Sequence, residues 1–79
     1  MLFPFAVPGR YGFWMKDMRF SLDMVWISSD KRVVMVSSDV SPDTYPLVLY
    51  PPSDISYVLE LNADSANKFG IATSTKLVF

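Results

Sequence analysis

Residues 11–27 read Tyr-Gly-Phe-Trp-Met-Lys-Asp-Met-Arg-Phe-Ser-Leu-Asp-Met-Val-Trp-Ile, and this stretch decides the fold. It holds two short apolar runs joined by a polar elbow at residues 19–21. The alternation of side chains predicts one strand over 11–18 and a second over 22–28. Both faces of the second run are largely apolar, which is typical of a strand in the centre of a sheet.

The flanking runs extend this core into a mostly antiparallel sheet. Further strands are predicted over residues 1–7, 32–40, 55–61 and 76–79. Pro4 interrupts the first of these and favours an edge position for it. The polar residues 28–31 lie between two β-branched runs and indicate a hairpin. Residues 41–53 hold four of the six prolines and are expected to form a loop.

Residues 62–70 are the only helical segment that the pattern predicts. Asn62 is suited to the N-cap, because its side-chain oxygen can accept a hydrogen bond from a free amide of the first turn. Asp64 would lie at the positive end of the helix dipole, and Gly70 can adopt the left-handed conformation that ends a helix. The sequence therefore predicts an α+β fold, β-dominated, with one short helix.

The composition limits the size of the domain and the chemistry that it can perform. A chain of 79 residues, 51% of them hydrophobic, is expected to form a single globular domain, 1–79. Because cysteine and histidine are both absent, disulfides, thiolate ligands and the usual histidine-dependent nucleophiles are excluded. No Asp-x-Asp-x-Asp-Gly loop is present, so neither a metal nor a cofactor is predicted.

The charge and the apolar runs limit the partners. Seven basic and eight acidic residues give a net charge of −1, so we do not expect a nucleic-acid partner. The run Arg10–Lys16 is basic and aromatic, but aromatic side chains in so small a β-domain usually belong to the core. No run approaches the ~20 apolar residues of a membrane span. The first residues do not have the pattern of a signal peptide, and the compartment is left open.

The motifs of the chain resemble those of a known family. The residues concerned are Met1-Leu-Phe, Gly12-Phe-Trp-Met-Lys-Asp-Met, Leu22-Asp-Met, Arg32-Val-Val, Tyr57-Val-Leu-Glu-Leu-Asn-Ala and Phe69-Gly-Ile. Together they are similar to the small bacterial and archaeal domain of unknown function 192, over essentially the whole chain. The resemblance implies a compact, β-dominated α+β fold with a barrel-like sheet and one short helix. It implies no assigned reaction, and some relatives in the family are exported.

The chain departs from the family pattern in two places. Family members usually have Asn where this chain has Asp17, and they have a further segment, including a strand, before the Met-Leu-Phe motif. The resemblance therefore predicts that this chain is N-terminally shortened. A missing strand would leave a sheet edge of unpaired amides, so we expect that edge to pair with a second copy or with a partner chain.

Polar residues embedded in the apolar motifs are the candidates for a ligand site. They are Trp14, Lys16, Asp17, Asp23, Glu60 and Asn62. One interpretation is structural: Lys16 pairs with an acid, and Asn62 caps the helix. The other places these residues in one polar patch, rimmed by Trp14, that binds a small polar ligand such as a sugar or an amide.

Three functions follow from these residues. The preferred one is a non-catalytic binding or accessory module with its site at the polar patch. The second is a minimal hydrolase-like enzyme that uses Asp23 and Glu60 as an acid/base pair. The third is an interaction protein whose exposed sheet edge is completed by a partner strand.

Overall fold

A four-stranded antiparallel sheet is the main element of the computed structural model, which describes residues 1–79. In chain order the elements are β1 (Leu2–Gly9), β2 (Leu22–Ile27), β3 (Val33–Val40), a 3₁₀ turn (Pro42–Thr44), β4 (Ile55–Asn62) and α1 (Ser65–Lys68). The strand order is β1-β4-β2-β3. The predicted β-dominated α+β class is confirmed. Because β1 and β3 lie at the two edges and do not pair with each other, the sheet is not closed and is barrel-like only loosely.

The central strand β2 is buried along its whole length, as its two apolar faces predict. Met24 and Trp26 point to one face of the sheet, which we call the first face, and they pack with Val58. Val25 and Ile27 point to the opposite, second face. Other segments of the chain cover each face, so the sheet lies between two small hydrophobic cores.

The first face is covered by the segment that precedes β2, but this segment is not a strand. The strand predicted over 11–18 is wrong: only Phe13 pairs, with Leu49, through two backbone hydrogen bonds of 2.8 and 2.7 Å. The chain then turns, with the Met18 N–H donating to the Met15 carbonyl at 3.1 Å. Asp17 in this turn has a left-handed φ of 61°. A segment that covers a sheet needs the same apolar side chains as a strand that extends it, and the side-chain pattern of residues 11–18 therefore resembles that of a strand.

Gly12 allows this cover to lie close to the proline-rich loop. A Cβ atom at this position would lie 2.5 Å from Val48 Cγ1 and 2.7 Å from the Tyr50 ring. Both distances are shorter than real Cβ contacts, so the Val48 or Tyr50 side chain would have to shift to make room for a Cβ atom here. Glycine therefore allows the two segments to approach closely without a shift of these side chains.

The second face is covered by α1 and by the residues that follow it. Ala66 and Ile71 pack there with Val25 and Ile27. The short helix predicted at about 62–70 is confirmed, but it is limited to Ser65–Lys68, and the predicted Asn62 cap is wrong because Asp64 is the N-cap residue. Asn62 still belongs to β4 and pairs with Leu22, so the helix cannot begin before the sheet ends. No helix is both long enough and apolar enough to cross a membrane.

Residues 74–77 lie along the outer edge of β3 at its start. The Val33 N–H donates to the Thr75 carbonyl at 2.9 Å, and the Ser74 N–H donates to the Val33 carbonyl at 2.8 Å. Lys76 pairs with Arg32 in the same line. The closing strand predicted over 76–79 is thus reduced to this single bridge.

A substitution at Met15 tests whether the segment before β2 packs onto the first face of the sheet. The Met15 side chain is 1% exposed, whereas that of its neighbour Trp14 is 47% exposed. We expect Met15→Ala to lower the free energy of unfolding by about 2–5 kcal/mol, because it leaves a cavity under the cover. Trp14→Ala, the control, should cost less than about 1 kcal/mol. Urea unfolding followed by circular dichroism measures both, and equal losses would contradict the assignment.

Candidate functional site

The sheet separates the two carboxylates that the sequence placed together. Glu60 is paired with Met24, whereas Asp23 is paired with Leu61. Paired residues of an antiparallel ladder point to the same face, and successive residues point to opposite faces. Glu60 therefore lies on the first face and Asp23 on the second, so that they do not belong to one polar patch.

Asp23 is completely buried and is held by backbone amides. Its Oδ1 accepts a hydrogen bond from the Asp39 N–H and its Oδ2 accepts one from the Ala66 N–H, both at 2.9 Å. Burial alone would raise the pKa of Asp23. The backbone hydrogen bonds from Asp39, Ala66 and Asp64 outweigh burial and hold the pKa below its usual value.

The two main donors explain why an aspartate is placed in the middle of β2. Between Leu22 and Met24 the pairing with β3 shifts, so that Asp23 faces both Ser38 and Asp39 in a β-bulge. Asp23 accepts a hydrogen bond from the Asp39 N–H, which this bulge would otherwise leave unpaired. It also caps α1, whose own N-cap residue, Asp64, makes no side-chain cap. The side chain thus joins β2, the bulge of β3 and the start of the helix.

A polar cavity of about 290 Å³ lies next to Asp23. Its other lining residues are Ser38, Asp39, Ala63, Asp64 and Asn67. None of these five residues is among the site residues that the sequence predicts. Asp39 and Asp64 both have a left-handed φ, of 52° and 72° respectively. This shared backbone conformation is seen in the structure and has no counterpart in the sequence pattern. No group of three acidic side chains is arranged to hold a metal ion.

Glu60 and Asn62 lie in the last part of β4, two residues apart and therefore on the same face. Glu60 is half-buried, and burial raises its pKa, although the Met1 amino group partly offsets this effect. The Glu60 backbone pairs with Met1 through hydrogen bonds of 2.6 and 2.8 Å. Asn62 is exposed.

Trp14, Lys16 and Asp17 are all exposed on the cover of the first face. The Trp14 ring contacts Tyr45 from the proline-rich loop, with ring centroids 5.2 Å apart. The Lys16 ammonium lies 5.7 Å from the Trp14 ring centroid, within the range of a cation–π contact. We call Trp14, Lys16 and Tyr45 the aromatic surface. Tyr45 was missed because nothing in the sequence pairs the loop with residues 11–18.

The fold is that of a small β-dominated α+β domain. It has an open antiparallel sheet, one short helix and a buried aspartate that accepts hydrogen bonds from two backbone amides. The model of one family, described as "Uncharacterized ACR, COG1430", matches residues 1–79. The chain belongs to this family, the domain of unknown function 192. No curated protein is a significant match to the chain.

Two solved structures are similar to the chain. A candidate transcription regulator from Sinorhizobium meliloti 1021 is 30% identical over 94% of the chain, with a TM-score of 0.86. A protein of unknown function from Novosphingobium aromaticivorans DSM 12444 is 26% identical over the whole chain, with a TM-score of 0.91. The chain spans 57% and 56% of the length of these two proteins.

The lowered pKa of Asp23 predicts how stability depends on pH. An unfolded aspartate titrates near about 3.9, so the carboxylate stabilises the fold fully above this pH, and the effect is lost as the pH falls through the lower folded pKa. We expect the free energy of unfolding to fall below about pH 4, and to fall less in Asp23→Asn. Asp23→Ala leaves two buried donors unpaired and should cost at least about 2 kcal/mol at neutral pH. Urea unfolding across pH 2–7 measures both effects; parallel pH profiles for the wild type and Asp23→Asn would contradict the assignment.

Glu60 should show the opposite dependence. Its raised pKa means that the folded state favours the protonated form, so its contribution is fully present below the unfolded pKa of about 4.3 and is lost as the pH rises through the folded pKa. Glu60→Gln is therefore expected to melt at a higher temperature than the wild type at pH 7, with the difference disappearing near pH 3. Thermal melts at the two pH values decide this, and Asp54→Asn, a change at an exposed acid, is the control.

Proposed function

We propose that the chain is a non-catalytic binding module and that the aromatic surface is its ligand site. The observation that carries this proposal is the contact between two exposed rings: Trp14 is 47% and Tyr45 43% exposed, although they touch each other. Large aromatic side chains of a small domain are normally placed in the core. Two of them held together at the surface, next to a lysine, form a platform for binding.

The chemistry of the platform favours a small polar ligand with one apolar face, such as a sugar. The indole ring offers a flat apolar surface, while its N–H, the Tyr45 hydroxyl and the Lys16 ammonium supply donors around it. Asp17 follows directly in the turn and can accept a hydrogen bond from a ligand hydroxyl. Glu60 and Asn62 remain predicted contacts at the end of β4.

The enzyme alternative has less support. The sheet lies between Asp23 and Glu60, and both oxygens of Asp23 already accept backbone hydrogen bonds. A carboxylate pair for acid/base chemistry has to face one substrate. The similarity to a candidate transcription regulator from Sinorhizobium meliloti does not support DNA binding by this chain. The chain has seven basic and eight acidic residues, and it therefore lacks the basic excess that binds DNA phosphates.

Tryptophan fluorescence can test the aromatic surface directly. The only other tryptophan, Trp26, is completely buried and provides an internal reference. Titration with glucose, N-acetylglucosamine and their short oligomers is expected to protect Trp14 from quenching by acrylamide. Trp14→Ala and Tyr45→Ala should each weaken saccharide binding about tenfold. Lys16→Met should weaken it less. Ligand-detected NMR measures the affinity of these variants.

Phe69→Ala is the matched control, since Phe69 is an exposed aromatic residue at the end of α1, away from the platform. It should leave binding unchanged. If none of the saccharides protects Trp14, or if Trp14→Ala binds as tightly as the wild type, the proposal is wrong.

A further inference from the structure

The outer edge of β3 is only partly occupied. β2 is the only strand that pairs with β3, and on the other side Val33 alone exchanges backbone hydrogen bonds, with Ser74 and Thr75. From Val34 to Ser38 the outward-facing N–H and C=O groups make no backbone hydrogen bond. Such a row of free groups is a template for an added strand.

This edge differs from the other edge of the sheet. β1 carries Pro4 and Pro8, which remove two donors and hinder pairing. Residues Val34–Ser38 contain neither proline nor a basic residue, and three of the five are Val or Met. The features that usually protect an edge strand are thus present in β1 and absent from this part of β3.

The chain itself begins a fifth strand at this edge and then leaves it. Residues 74–77 run along Lys31–Val33 in hydrogen-bonded register, with the Leu77 N–H donating to the Lys31 carbonyl at 2.9 Å. A peptide added alongside Val34–Ser38 would continue the same line. Residues 71–73, which lead into this segment, would then lie next to it.

A groove on the second face follows the free edge. One part, of about 270 Å³, lies between Val36 and Ile71, and we call it the apolar part because five of its eight lining residues are hydrophobic. The next part is the polar cavity beside Asp23, with Asp39 and Asp64 exposed at its rim. The two parts share Ser38 and Asn67 as lining residues, so they are neighbours, and neither is lined by a lysine or an arginine.

We propose that β3 binds an extended peptide of a partner protein by strand addition at Val34–Ser38. The peptide carries an apolar side chain and a basic side chain two positions apart. Alternate residues of a strand point to the same side about 7 Å apart, which brings one side chain to the apolar part and the next to Asp39 and Asp64. The backbone supplies the binding and the two side chains supply the selectivity. This surface is separate from the aromatic surface, so either proposal can fail alone.

The test uses the 79-residue chain and a synthetic peptide, acetyl-Ser-Thr-Val-Ser-Lys-Thr-Ser-amide. Binding is followed by amide chemical shifts and by hydrogen exchange of Val34–Ser38. We expect shifts and slowed exchange at these amides, and about fivefold weaker binding when the peptide lysine is replaced by glutamate. Two further peptides carry N-methyl groups on alternate sets of amides; the set that faces β3 should abolish binding and the other should not.

Protein variants separate the backbone from the charges. Asp39→Asn with Asp64→Asn removes both charges while keeping a residue that tolerates left-handed φ. This variant should bind the lysine and glutamate peptides equally. Asp43→Asn with Asp54→Asn changes two exposed acids elsewhere and should keep the preference for lysine.

Three results would overturn the proposal. They are shifts confined to residues outside β3, equal binding by both N-methylated peptides, and pairing of two copies of the chain through Val34–Ser38 without any peptide.

Discussion

The hydrogen bonds of Asp23 are the constraint on which the rest of the structure depends. One buried carboxylate joins the central strand β2 to the bulge of β3 and to the first turn of α1. A helix of one turn is not stable by itself, so its position depends on this cap and on the packing of Ala66. Removing the carboxylate would therefore loosen the whole cover of the second face. Both oxygens of this carboxylate accept backbone hydrogen bonds that hold separate elements together, which is why we assign it to structure.

The sequence predicted the strands well because their side-chain pattern reflects burial directly. β2, β3 and β4 occur where the apolar runs predict them, and Pro4 correctly indicated an edge for β1. The pattern failed for residues 11–18, because a loop that covers a core needs the same apolar side chains as a strand. It also failed at Asn62: a residue suited to an N-cap is equally possible at a strand end when pairing with Leu22 continues through it.

The candidate site was only partly predictable for a related reason. Trp14 and Lys16 could be selected, since aromatic and charged residues side by side are visible in the sequence. Tyr45 could not, because its contact with Trp14 joins two segments that share no strand pairing at these residues. Asp23 and Glu60 lie on opposite faces because of the register in which β2 pairs with β4. Composition and residue spacing do not determine that register. The free edge of β3 likewise follows from strand order, which no local pattern contains.

The pairing of β1 with β4 also governs how the domain is assembled. Leu2 is paired with Leu59, so β1 finds its partner only after β2, β3 and the proline-rich loop have been synthesised. Contacts so distant in sequence make folding slow compared with a helical domain of equal size. During that wait the aromatic side chains of β1 are exposed to other nascent chains. Pro4 and Pro8 hinder strand pairing by this exposed segment, so the residues that protect the edge of β1 in the folded sheet also protect the unfinished molecule from aggregation.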